Sequence, residues 1–322
     1  MLGRAHRLAI SMVFVLAGCG GAAHDFSDGL DDAAVPDAGP YLPCMGDGVH
    51  LGPCVYTLTL DAGAFPPTAA HPSALVYAPA GFTLAPPLDV IVWLHGFDNC
   101  IENIIRDAGE SCDPDAGTPA RNAYQLVAQL EESNKNALLL APELEFDQAT
   151  GDPGALATDG GFRALLAETL AQLSGPLNGA TVADVGTVVV ASHSGGYDAA
   201  AGILREGQVP VREVWLFDSL YGFTTDFDDW VKSDLLGIES VQRRFGSVYT
   251  LTGGTLTNSQ DMADRAVTWV DAGVVNDDRT TDTWAPADYH HGLLFKRSAL
   301  AHDDVPRYYF LQFLTTSTLR DR

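Results

Sequence analysis

At 322 residues with 46% hydrophobic side chains, the chain is long enough and apolar enough to bury a large core, which excludes a disordered protein. Its formal net charge of -24 excludes a nucleic-acid binder, because such a face must meet phosphates with Lys and Arg. We read the acidity as solubility outside the cell rather than as cation binding. The chain opens with Arg4, His6 and Arg7, followed by an apolar stretch over 8–16 that is too short to span a bilayer. That combination predicts an export signal.

The next residues, Leu16, Ala17, Gly18 and Cys19, resemble the lipobox of bacterial lipoproteins, in which the cysteine is lipidated and becomes the first residue of the mature chain. The resemblance implies a signal peptide over 1–18, a lipid anchor on Cys19, and attachment to the bacterial cell envelope facing away from the cytoplasm. Gly20, standing where an Asp would signal otherwise, leans the anchor towards the outer membrane in a cell that has one. An ordinary cleaved signal with a chance cysteine is the alternative. Residues 19–43 are dominated by Asp, Ala, Gly and Pro without a hydrophobic period, which predicts a disordered acidic tether. The folded domain then spans 44–322. Four cysteines remain, Cys44, Cys54, Cys100 and Cys112, and an even number in an exported chain predicts two disulfides. Three pairings are open. Local pairing of Cys44 with Cys54 and of Cys100 with Cys112 is the simplest, and the lack of C-x-x-C spacing makes zinc the weaker choice.

Strands and helices alternate through the domain. Two opening strands, read as antiparallel partners, are expected over 55–60 and 74–77, then a buried strand over 89–94 that runs into His95 and Gly96. A helix is expected over 122–132, a strand over 137–142, and an amphipathic helix over 162–173 with Phe162, Leu165, Leu166, Thr169, Leu170 and Leu173 on one face. Strands are expected over 213–218, 247–252 and 292–295. A last helix over 305–314 has Asp303 or Asp304 as N-cap and Pro306 in its first turn. Residues 222–245 read either as a small cap or as a crossover helix, and the crossover is favoured. Repeated strand–helix units imply a doubly wound, mostly parallel sheet with helices on both faces.

The middle of this pattern carries the chemistry. A β-branched run over 187–190 stops at Ala191, Ser192, His193, Ser194, Gly195 and Gly196, and an Ala-rich helical segment follows. The stretch resembles the nucleophile elbow of α/β-hydrolases, a tight strand-to-helix turn that lifts a serine to a helix N-terminus. Ser192 stands where the family usually has glycine, and Gly196 fits the pattern. The plain alternative is a strand–turn–helix link whose serine caps the helix. The resemblance covers roughly 55–320 and implies a serine hydrolase with Ser194 as nucleophile. It makes the segment around His95, Gly96, Phe97 and Asp98 an oxyanion loop, in which the Phe97 N–H, or that of Gly96 in its place, and the Gly195 N–H would bind the tetrahedral oxygen. Such donors contribute about 3–4 kcal/mol each to a transition state. His95 is expected to brace that loop, and His193 to be structural.

The acid is expected at Asp218, which ends a buried strand at the edge where ligands gather in open α/β sheets. Asp261 competes from a later loop, followed by Asp277, Asp278 and Asp282. His302 is expected to be the base, because it follows the last strand just before the last helix, where the family carries its histidine. His290 and His291 would sit at the opposite edge of the sheet. The resulting expectation is a lipid-anchored extracytoplasmic serine hydrolase, esterase-like, cleaving a small-molecule or polymer ester, or an amide, through an acyl-enzyme. No metal or organic cofactor is implied. A peptidase or amidase acting on cell-wall material and a catalytically silent binding lipoprotein on the same fold are the alternatives.

The lipobox generates the first prediction. Cys19→Ser should release the protein from the membrane fraction or leave an unprocessed precursor. Unchanged membrane anchoring of the mutant would contradict the lipoprotein reading.

Overall fold

The computed structural model describes residues 48–64, 72–106, 108–115, 117–145, 152–235, 243–270, 272–280, 283–285 and 292–322. Cys19, Cys44, Asp282, His290 and His291, together with the expected signal and tether, lie outside the described residues. The strands are β1 (His50–Leu51), β2 (Cys54–Leu58), β3 (Ala74–Ala78), β4 (Phe82–Thr83), β5 (Leu88–Leu94), β6 (Ala137–Pro142), β7 (Val185–His193), β8 (Glu213–Phe217), β9 (Arg244–Thr250), β10 (Val275–Asp278) and β11 (Leu293–Ser298). The α-helices are α1 (Leu126–Ser133), α2 (Gly161–Gln172), α3 (Tyr197–Glu206), α4 (Thr224–Leu235), α5 (Gly254–Ala266) and α6 (Val305–Thr316).

The apolar runs of the central strands alternate between two cores, which is why helices must cover both faces. In β5, Val90, Val92 and Leu94 enter one core while Ile91 and Trp93 enter the other. Val188 and Val190 of β7 and Val214 and Leu216 of β8 join the first core; Val189, Ala191, Trp215 and Phe217 join the second. Helices α2 to α5 close the first core with Phe162, Ala199, Phe227 and Met262. Helices α1 and α6 close the second with Leu130, Tyr309, Phe310 and Phe313. Trp93, Trp215 and Phe217 meet Phe310 there at ring distances of 5.8, 5.9 and 6.0 Å.

Nine strands form one sheet in the order β10-β11-β9-β8-β7-β5-β6-β3-β2. Neighbours from β6 to β10 pair in parallel, and the opening strands β2 and β3 add on antiparallel, as expected. β1 and β4 form a separate antiparallel pair. The sheet is therefore mostly parallel and doubly wound, as expected. No helix among the described residues is long and apolar enough to cross a membrane.

Some boundaries differ from the sequence reading, each for a physical reason. The helix expected from 122 begins only at Leu126. Gln125 has φ +53°, and the preceding residues are drawn away into loop contacts described below. Helix α5 is not apparent in the sequence because its first half, with Gly254, Thr255, Asn258 and Ser259, is poor in helix formers and apolar period. Tertiary burial of Met262, Ala263 and Ala266 holds it. Consequently Asp261 sits on a helix and faces solvent, not in a loop. The 222–245 segment carries the crossover helix α4 rather than a cap over its described part.

Cys54 is disulfide-bonded, and its expected partner Cys44 lies outside the described residues. Cys100 and Cys112 form a disulfide across a sequence separation of 12. A loop of this length, cross-linked in the unfolded chain, gains about 3 kcal/mol of stability in the chain-entropy account. Replacing both Cys100 and Cys112 by Ser should cost about that much in urea denaturation. An unchanged midpoint would show that the link adds no constraint.

Candidate active site

Strands β7, β8 and β11 all end at the carboxyl edge of the sheet, with β9 between β8 and β11, and each is followed by one of the expected residues. Ser194 follows β7, Asp218 follows β8 and His302 lies in the turn between β11 and α6. The edge is where ligands gather in open α/β sheets.

The turn at Ser194 is a point of strain. Ser194 has φ +51°, a conformation costly for a residue with a Cβ and found mostly where the surroundings enforce it. The enforcement is close packing of two loops. A Cβ on Gly196 would lie 2.4 Å from the Leu94 carbonyl, and one on Gly96 would lie 2.5 Å from Ser194 Cβ and 2.8 Å from the Gly195 nitrogen. Only glycines let the elbow and the end of β5 approach so closely. Ser192, in the place of the family's usual glycine, has a role of its own. Ser219 Oγ donates to the Ser194 carbonyl at 2.8 Å, so its contact of 2.8 Å with Ser192 must be a bond donated by the Ser192 hydroxyl. This chain of two serines ties the elbow to the segment after Asp218.

Asp218 is buried, with φ +46°. Its Oδ2 accepts from His302 Nδ1 at 2.6 Å and from Thr250 Oγ1 at 2.8 Å. Its Oδ1 accepts from the Thr250 N–H at 2.9 Å and from Thr255 Oγ1. Burial alone would push the carboxyl pKa up. The bonds from His302, Thr255 and Thr250 outweigh it and hold the pKa below the usual carboxylate range. With Nδ1–H directed at the carboxylate, the neutral imidazole presents an unprotonated Nε2. Neither that atom nor Ser194 Oγ has found the other: no hydrogen bond joins them among the described residues. Catalytic contacts are often loose before substrate binds. Of the competing acids, Asp261 is exposed on α5, Asp277 pairs with Arg279, and Asp278 pairs with Lys296.

Around this pair the loops are strapped together by His193, which was expected to be structural, and by Tyr124, Arg121 and Asn122, which sequence reasoning passed over. His193 is buried, and its Nε2–H donates to the His302 carbonyl at 3.1 Å. Its Nδ1 accepts from the Tyr124 hydroxyl at 2.7 Å. Burial, and then the charge of His302, drives the His193 pKa down to about 3, so it stays neutral, and burial raises that of Tyr124. Arg121 pairs with Asp98 at 2.9 Å on the oxyanion-loop side and with Asp303 at 3.6 Å beside the candidate base. Asn122 Nδ2 donates to Asp304 at 3.0 Å. These long-range partners explain why 121–124 does not join α1. Nothing in the sequence marked them, because Arg121 and Asn122 stand between alanines like ordinary residues at a helix start. His95 is buried, with Nδ1 3.0 Å from the Gly96 carbonyl and Nε2 accepting from the Leu144 N–H at 2.9 Å. It braces its loop, as expected.

Phe97 is exposed, and no hydrogen bond occupies its N–H among the described residues. Gly195 is buried in the first turn after the elbow, where helical N–H groups lack intrahelical partners. His193, His302 and Asp303 lie close enough together to suggest a metal site. Both His193 nitrogens are already hydrogen-bonded, which leaves such a site one imidazole nitrogen and one carboxylate.

No family model matches the chain, and no curated protein matches it in sequence. Solved structures match it in shape. A serine-to-alanine mutant of the feruloyl esterase module from Clostridium thermocellum, complexed with sinapinate, superposes with a TM-score of 0.52 at 11% identity, over 82% of this chain and 89% of its own. A ferulic acid esterase gives 0.47 at 12% identity over 81% and 97%. The S-formylglutathione hydrolase from Staphylococcus aureus gives 0.43 at 9% over 82% and 95%. The first of these, together with the strand order and the elbow after β7, defines the class: the chain has the α/β-hydrolase fold.

The buried imidazole of His193 sets an acid limit on stability. In the unfolded chain it titrates near 6.5 and in the folded chain near 3, so between these values only the unfolded state takes the proton. Stability contributed by neutral His193 is present above about pH 6.5 and is lost as the pH falls towards 3. Asp218, held below its ordinary range, adds a loss below the usual carboxylate pKa. Urea midpoints at pH 7.5, 6 and 5 should fall progressively, and His193→Gln should flatten that slope. An equally steep slope in the variant would remove His193 as its cause.

Proposed function

We propose that the protein is an extracytoplasmic serine hydrolase of the carboxylesterase type, with Ser194 as nucleophile, His302 as general base and Asp218 as its orienting carboxylate. The observation that carries the reading is the 2.6 Å contact between Asp218 Oδ2 and His302 Nδ1, set one strand away from a serine held at positive φ. Isolated, the pair could be structural. Its place near a strained serine at the start of a helix supports a role in moving a proton to and from that hydroxyl.

In this mechanism Ser194 Oγ attacks the ester carbonyl while His302 Nε2 takes its proton. The N–H groups of Phe97 and Gly195 receive the oxyanion, which the helix N-terminus also favours. His302 then gives its proton to the leaving alcohol as the carbon–oxygen bond breaks. Water, deprotonated by the same imidazole, hydrolyses the acyl-enzyme and regenerates Ser194. Asp218 carries its charge throughout, because four hydrogen bonds favour the ionised form. It stabilises the imidazolium that forms and fixes its tautomer. No step needs a metal or organic cofactor. The lipobox resemblance at Cys19 supports a lipid anchor in the cell envelope, facing away from the cytoplasm, with the acidic segment 19–43 as spacer.

A fluorophosphonate probe should label Ser194, and Ser194→Ala should lose labelling and ester hydrolysis while keeping its fold. His302→Gln should lower p-nitrophenyl ester hydrolysis by roughly 10³-fold or more, because triad members act as a unit. Full activity in Ser194→Ala would overturn the reading.

A further inference from the structure

Three aromatic side chains outside the proposed machinery stand in a row beginning at the candidate base. The Tyr221 ring lies edge-on to His302 at 6.2 Å. Tyr197, at the start of α3, lies 6.0 Å from Tyr221 and 6.0 Å from Phe223. A fold gains by burying such rings, yet Tyr221 and Phe223 are 38% and 42% exposed.

The row is built rather than incidental. Phe223 has φ +53°, a conformation in which a bulky side chain is a genuine outlier, and such outliers cluster at functional sites. Gly222 makes room for the Tyr197 ring, since a Cβ there would lie 3.0 Å from it. Gly254 does the same for Tyr221 at 3.3 Å. Asn258 Nδ2 donates to the Leu220 carbonyl at 2.9 Å and pins the segment that carries the rings. Burial, with the nearby charges of Asp218 and Asp303, pushes the Tyr221 pKa up to about 12, so its ring stays neutral. At the far end the Arg205 guanidinium lies 5.8 Å from the Phe223 centroid, with Asp226 pairing it at 3.4 Å.

We propose that Tyr197, Tyr221 and Phe223 form the leaving-group subsite of this hydrolase, and that it takes an aryl ring in the alcohol half of the ester. The inference rests on the proposed roles of Ser194 and His302. His302 must deliver its proton to the leaving oxygen as the acyl carbon bonds to Ser194 and the ester carbon–oxygen bond breaks. That oxygen therefore sits beside His302, and the row that starts at the His302 ring extends along the alcohol. Aromatic faces favour offset or edge-to-face contact with another ring over contact with a saturated one.

The test compares kcat/KM for benzyl acetate and cyclohexylmethyl acetate, which differ in the π face of the alcohol. The mirrored pair, methyl phenylacetate and methyl cyclohexylacetate, places the same difference in the acyl half. Benzyl acetate should be favoured about two- to twelvefold, the range one aromatic pair contributes, and the mirrored pair should show no such preference. Phe223→Leu and Tyr221→Leu should bring the benzyl preference close to one, while Phe223→Tyr retains it. Each ratio is taken within one protein, so a loss of total activity cannot imitate the effect. A benzyl ratio near one in the wild type, a preference confined to the acyl pair, or a benzyl preference that survives both leucine variants overturns this inference and leaves Ser194 and His302 untouched. Failure to turn over any of the four esters, with no fluorophosphonate labelling of Ser194, overturns the proposed function and the subsite with it.

Discussion

The Asp218–His302 hydrogen bond is the interaction on which the rest of the site depends. It spans 84 residues of sequence and joins the ends of two strands, so it exists only if the sheet is ordered as it is. Asp218 sits at the end of β8 and His302 beyond β11, with β9 between them. That intervening strand supplies the missing pieces. Thr250 ends β9 and gives both its N–H and its hydroxyl to the carboxylate, and Thr255 adds another hydroxyl from the start of α5. A buried carboxylate with fewer partners would drift towards protonation. Here the partners keep it charged, and the charge fixes which imidazole nitrogen carries the proton.

The second constraint is distance between backbones. Gly96 and Gly196 allow the end of β5 to pack directly on the elbow, which brings the Phe97 segment to the side of Ser194. Local strain at Ser194, Asp218 and Asp98, all at positive φ, is held in place by this packing and by the straps through Ser219, Tyr124 and Arg121. The two buried cores, one on each face of the sheet, allow such strain to persist without the loops relaxing.

Much of this was legible in the sequence, for reasons that differ by residue. The central strands announce themselves as continuous apolar runs, because both faces are covered. Ser194 is legible because a helix must start within two residues of a strand end, which leaves few permitted side chains at 192 and 196. Asp218 and His302 follow from their positions at strand ends. Thr250 and Thr255 do not, since a threonine that bonds a carboxylate looks like any threonine until the sheet brings the two together. The same holds for Tyr124, whose hydroxyl meets a histidine 69 residues away. Helix α5 was illegible because its polar residues carry weak propensity and its burial is imposed from outside. Tyr221 and Phe223 were hidden for the opposite reason: aromatic residues in a sequence are read as core, and only the fold reveals that these are left exposed.

The central claim is that Ser194 becomes covalently acylated with His302 as its base. Rapid mixing with p-nitrophenyl acetate, acid quenching within the first turnover and peptide mass spectrometry test it directly. The account predicts a burst of one nitrophenol per enzyme molecule and a mass gain of one acetyl group on the peptide containing Ser194, both lost in His302→Gln. Steady hydrolysis without an adduct, or an adduct on another residue, would contradict it.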